Sequence, residues 1–116
     1  MAHKWYDFGI KSLPKGDSIE RTYDGRLNDD YGHLMLSKTK ILFVKEEGLL
    51  RKNFSVTLNL PYEKIEEVNA EDQFKVMITK DSGERYWFLT DNIPISIVKE
   101  TIEELMRNPQ SPVPIF

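Results

Sequence analysis

Residues able to do chemistry are sparse in this chain. Cysteine is absent, and histidine occurs twice, at His3 and His33. Without thiolates there can be no disulfide and no cysteine-ligated metal, and a reducing compartment is compatible. A serine nucleophile needs a neighbouring base steadied by a third group, and no spacing here suggests such a set. His33, beside Gly32, reads as an ordinary strand residue. "DGRLNDDYG", from Asp24 to Gly32, is rich in carboxylates. It lacks the alternating acidic order and the twelfth-position glutamate of a calcium loop, and it reads as a turn. No catalytic, cofactor-binding or metal-ligating residue is therefore assigned, and a non-enzymatic role is expected.

What remains is the chemistry of surfaces. "KEEGLLRK" sets Leu49 and Leu50 beside Gly48, between Lys45 on one side and Arg51 and Lys52 on the other. Two leucines flanked by cations could dip into a lipid interface or a partner. In the simpler reading one leucine turns inward and caps the sheet. A second feature is "YGHLMLSKTKILFV". If Leu34, Leu36, Ile41 and Phe43 share an inner face, then Met35, Leu42 and Val44 form an apolar strip on the outer one. Trp87 and Leu89 raise the same question on a later strand, if Tyr86 and Phe88 face in. A contiguous apolar strip is rarely left in water. Two covers are open: the aromatics Trp5, Tyr6 and Phe8, or a second subunit.

The elements that must position these residues follow from periodicity. The 116 residues fit one domain, with 40% hydrophobic and 30% charged, a globular composition. Residues 1–17 read as an irregular lead-in broken by Pro14 and Gly16, and 108–116 as a proline-rich, extended tail. Strands are expected from Ser18 to about Asp24, then through the two halves of "YGHLMLSKTKILFV". In "NFSVTLNL", Phe54, Val56, Leu58 and Leu60 alternate with polar residues, which predicts one buried face. Pro61 ends that strand. "YEKIEEV" is a short strand anchored by Ile65 and Val68, and "QFKVMITK" and "ERYWFLT" form a hairpin around Gly83. The predicted core includes Phe54, Val56, Leu58, Phe74, Val76, Ile78, Tyr86, Phe88, Val98, Ile102 and Leu105. From Pro94 the period becomes helical, with Ile95, Val98, Ile102, Leu105 and Met106 on one side. Glu103 and Arg107 are spaced for a helical ion pair. The expected fold is mainly β: a bent, seven-stranded antiparallel sheet or partly open barrel, capped by one C-terminal α-helix.

In this order the motifs resemble the pleckstrin-homology (PH) superfold, and within it the GRAM and bacterial PH-type domains. "YGHLMLS" is similar to the opening of strand two, "ILFV" to strand three, and "VTLNLPYEKIEEV" to strands four and five. "QFKVMITKDSGERYWF" resembles the following hairpin. The likeness covers residues 18–107 and implies a binding module without catalysis. PH domains that hold inositol phosphates resemble each other in a basic run between strands one and two. Here that region has Arg26 against Asp24, Asp29 and Asp30, too few forked donors for phosphate.

The net charge of −3 argues against a general nucleic-acid binder. No apolar run reaches bilayer length. The N-terminal stretch has no continuous apolar core of a leader, and Ala2 stands where myristoylation requires glycine. A cytoplasmic protein is expected, with peripheral membrane association as an alternative. The expected function is a non-catalytic, PH-like interaction module that docks a protein partner or its own copy. The alternative is binding to an anionic membrane through Lys45, Leu49, Leu50, Arg51 and Lys52. No cofactor, metal or nucleic acid is expected.

Overall fold

A computed structural model describes residues 4–107. His3 and the expected extended tail, 108–116, lie outside the described residues. The chain forms helix α1 (Lys4–Ile10), strands β1 (Ile19–Leu27), β2 (Asp30–Ser37), β3 (Lys40–Glu47) and β4 (Asn53–Pro61), and a single 3-10 turn (Tyr62–Lys64). Strands β5 (Ile65–Ala70), β6 (Lys75–Lys80) and β7 (Arg85–Thr90) follow, and then helix α2 (Ile95–Arg107). The seven strands make one antiparallel sheet in the order β4-β3-β2-β1-β7-β6-β5. It is not closed into a barrel: β4 and β5 are its two edges.

The alternation of β2 and β3 separates two cores. Leu34, Leu36, Ile41 and Phe43 join Leu58, Leu60, Val76, Ile78 and Phe88 inside the bend, and Val98, Ile102 and Leu105 of α2 close it. Met35, Leu42 and Val44 face the other way and are also fully buried, beneath Trp5, Tyr6, Phe8 and Leu13. The cover is therefore internal. The segment expected to be irregular contains a helix, because Trp5, Tyr6 and Phe8 gain burial only by laying a compact face on this strip. Gly9 makes the close approach possible: a Cβ there would run into the Met35 sulfur.

Four expectations about the strands are corrected. Phe54 and Val56 do not share the inner face with Leu58. Phe43 pairs with Leu58 but Val44 pairs with Val56, so Thr57 is an extra residue in the ladder. A bulge of this kind reverses the facing of everything beyond it. Phe54 and Val56 consequently join the outer cluster, half-buried. Phe74 is 37% exposed because it precedes β6 rather than lying within it, and Tyr86 is only half-buried. The turn expected over Asp24–Gly32 shrinks to Asn28 and Asp29, both at positive φ (48° and 77°). β1 runs on to Leu27, which is buried. Gly25 and Gly32 are cross-strand partners rather than turn residues. A Cβ on either would meet a neighbouring carbonyl oxygen and the ring of Phe88 or Phe43, two rings that pack edge to face at 6.3 Å.

Polar groups tie the end of the sheet at the β2–β3 turn. Asp17 Oδ2 accepts bonds from Ser37 Oγ (2.8 Å) and Thr39 Oγ1 (2.6 Å), and its Oδ1 accepts from the Lys38 amide (3.1 Å). These fix the β2–β3 turn, and the buried Tyr62 hydroxyl donates to the Ser37 carbonyl at 2.7 Å. On α2 the ion pair is Lys99–Glu103, at 2.9 Å, in place of the expected Glu103–Arg107.

Candidate functional site

Antiparallel pairing decides which turns meet. β7 runs antiparallel to β1, so the β1–β2, β3–β4 and β6–β7 turns all leave the same end of the sheet. Two of these three are acidic: Asp29 and Asp30 on the first, Asp81 and Glu84 on the last. The β3–β4 turn differs. Gly48 takes φ 105°, and any side chain there would collide with the Arg51 carbonyl oxygen. The chain folds tightly at that point and throws the next two residues outward.

Leu49 and Leu50 are 98% and 104% exposed. The expectation that one of them turns inward is overturned, because the inner core is already filled at this end and the tight turn gives neither leucine a route back. The cations beneath them are unequal. Lys45 Nζ lies 3.6 Å from both Asp30 and Glu47, and Lys52 Nζ lies 3.6 Å from Glu46. Arg51 has no ion-pair partner among the described residues. The rim residues Lys45, Leu49, Leu50, Arg51 and Lys52 are thus brought together on one hairpin, with the leucines outermost.

The expected apolar interface is divided. Met35, Leu42 and Val44 are taken by α1. Trp87 and Leu89 point outward as expected and remain 40% and 43% exposed. They stand on the other side of β1, which α1 does not cover.

Sequence reasoning missed one cluster altogether. His33 is 5% exposed, with Nδ1 at 2.6 Å from Asp24 Oδ1 and Nε2 at 2.7 Å from Glu46 Oε2. The ring is thus held between two carboxyl groups, one at each nitrogen. The Trp5 indole stacks on the imidazole at 3.9 Å with an interplanar angle of 9°. His33 therefore fastens α1 to the sheet, and its second carboxylate, Glu46, also faces Lys52 at the base of the leucine turn. Both ring nitrogens are engaged within the fold. Burial holds the nearby Tyr31 phenol above its ordinary pKa, and the carboxylates of Asp24, Asp91 and Glu46 add to the effect. Among the described residues no group of three acidic, histidine or cysteine side chains is placed to hold a metal, and no helix is long and apolar enough to cross a membrane.

In comparisons with known proteins, no family model and no curated sequence matches the chain.

Proposed function

We propose that the chain is a PH-like, non-catalytic interaction module that docks reversibly on a lipid surface through the β3–β4 turn. The element order and the helix across the open bend support the PH-like reading. The observation that carries the docking site is the complete exposure of Leu49 and Leu50 at the tip of a hairpin. The self-association reading loses its main motive, because α1 occupies the strip of Met35, Leu42 and Val44.

Magnitudes favour a weak, reversible contact. Burying a leucine contributes about 1.5–3 kcal/mol, so two contribute roughly 3–6 kcal/mol before orientation costs. That is in the range of a marginal, single-chain lipid anchor. Arg51 and Lys52 add attraction to anionic headgroups. The acidic turns on either side oppose a deeper approach, so leucine insertion outweighs charge in this scheme.

Co-sedimentation with phosphatidylcholine vesicles, with and without phosphatidylserine, tests the proposal. The intact protein should bind both, the anionic vesicles more tightly and with partial sensitivity to salt. The double variant Leu49→Asp, Leu50→Asp should lose binding while keeping its sheet signal in circular dichroism. Failure of the intact protein to bind either vesicle would overturn the proposal, as would binding that ignores the two leucines.

A further inference from the structure

The outer face of the sheet is only half roofed. α1 lies over β2, β3 and β4. Across β1 the same face continues onto β7 and β6, where Arg26 pairs with Leu89, Leu89 with Lys75, and Trp87 with Met77. Trp87 and Leu89 (40% and 43% exposed) line a cavity there of about 350 Å³ together with Arg26, Lys75, Asn28 and Asp29.

Charge singles this region out. The chain as a whole carries −3, yet the apolar floor is flanked by Arg26, Lys75 and Arg85, the last two strand positions from Trp87 on the same face of β7. None of the three forms an ion pair among the described residues. Instead Lys75 Nζ sits 5.5 Å from the Trp87 ring centre and the Arg26 guanidinium 5.8 Å from that of Tyr31. Arg26 Nη1 donates to the Asp29 backbone carbonyl at 3.1 Å, and Asp29 is the one acidic residue in the lining, so cations outnumber carboxylates around the floor. The carboxylate closest along β1, Asp24, is engaged by His33. A half-exposed tryptophan beside unpaired cations is the composition of an interface centre, where aromatic and arginine side chains carry most of the binding energy.

We infer that this uncovered half-face, centred on Trp87 and Leu89 and rimmed by Arg26, Lys75 and Arg85, docks an acidic segment of a partner protein. The segment places an aromatic or large aliphatic side chain in the cavity and its carboxylates against the three cations. α1 illustrates the mode within the molecule: a short segment rich in aromatics seated on the same sheet face. The site is separate from the leucine turn, so substitutions at Trp87 and at Leu49 test the two proposals apart.

Selection of random twelve-residue peptides displayed on phage, against the immobilised full chain, tests the inference. Enriched peptides should be acidic around one aromatic or large aliphatic residue. Synthesised singly, they should bind more weakly at high salt and shift amide resonances in β1, β6 and β7. Trp87→Ala should weaken them by about thirtyfold or more, the loss typical of a central interface residue. The surface variant Arg26→Glu, Lys75→Glu leaves the core untouched and should weaken them comparably. Leu49→Asp should leave them unchanged. Neutral or basic binders, no enrichment, resonance shifts confined to the leucine turn, or indifference to the charge variant would each overturn it. Vesicle binding that depends on Trp87 rather than on Leu49 and Leu50 would also overturn it, by assigning this face to lipid.

Discussion

At the residue scale, the side chain with the most unusual surroundings is the one the sequence marked least. His33 lies within an apolar, alternating strand and carries no motif. Its partners come from β1, β3 and α1, and no local spacing connects them. What made it invisible is that two of those contacts depend on strand register and the third on a helix that periodicity did not announce. Replacing His33 by Ala should deprive Asp24 of its imidazole partner, leave Glu46 with Lys52 alone, and remove the stack under Trp5. An expected cost is about 1–3 kcal/mol, read by urea unfolding. In a Trp87→Phe background the remaining Trp5 emission should shift to the red. An unchanged spectrum and midpoint would mean that α1 is held by its apolar contacts alone. Tyr62 makes a second test at this scale. Burial raises its phenol far above the ordinary value of 10.0, and the nearby Asp17 and Glu20 carboxylates act in the same direction. A phenol whose folded pKa is raised contributes stability that is intact below about pH 10 and is lost as pH rises beyond it. Tyr62→Phe cannot ionise. The stability gap between the native protein and this variant, measured by urea unfolding at pH 8 and pH 11, should narrow or reverse at the higher pH. Tyr31 and Tyr86, whose phenols are also raised, are present in both proteins and cancel in the comparison.

At the element scale, the sheet and α2 were legible because their signals are local. The apolar runs of β2 and β3, the alternation leading into β6 and the change to helical spacing at Pro94 each rest on side chains a few residues apart. β4 shows the limit. Its four apolar residues alternate without a break, yet a single bulge at Thr57 divides them between two cores. Nothing in "NFSVTLNL" marks the extra residue, since the bulge is set by what β3 presents across the ladder. α1 is the other limit: at seven residues it is too short to be stable alone, and only the outer strip makes it a helix. Its removal is therefore informative. Deleting residues 1–12 should bare Met35, Leu42 and Val44, so that the protein binds a hydrophobic dye or associates while retaining its sheet signal. Leu42→Lys should destabilise the monomer rather than dissociate a dimer, because Leu42 meets α1. Deletion without any change in dye binding or association would contradict the assignment of α1 as the cover.

At the scale of the whole molecule, an open sheet must protect its two edges from pairing with other copies. β4 does so with its bulge and with Pro61, which cannot donate to an added strand. β5 does so by charge: Glu66 and Glu67 are exposed along it, Glu63 stands just before it and Glu71 just after. Two such edges approaching each other would repel. With the outer strip covered and both edges guarded, the intact chain should sediment as a monomer at micromolar concentration. Its contacts are then left to the leucine turn and the Trp87 face, neither of which is complementary to itself: one is a protruding point, the other a floor rimmed by like charges. The acidic edge is open to direct manipulation. Glu66→Gln with Glu67→Gln removes charge without touching the buried Ile65 and Val68. Sedimentation velocity should then show concentration-dependent association that the native protein lacks, and raising the salt on the native protein should move it the same way, since screening weakens exposed like-charge repulsion. A native protein already dimeric at low salt would show that one of these surfaces pairs with a second copy. A glutamine variant that stays monomeric at every concentration would place the guard of this edge in its backbone geometry and not in its charge.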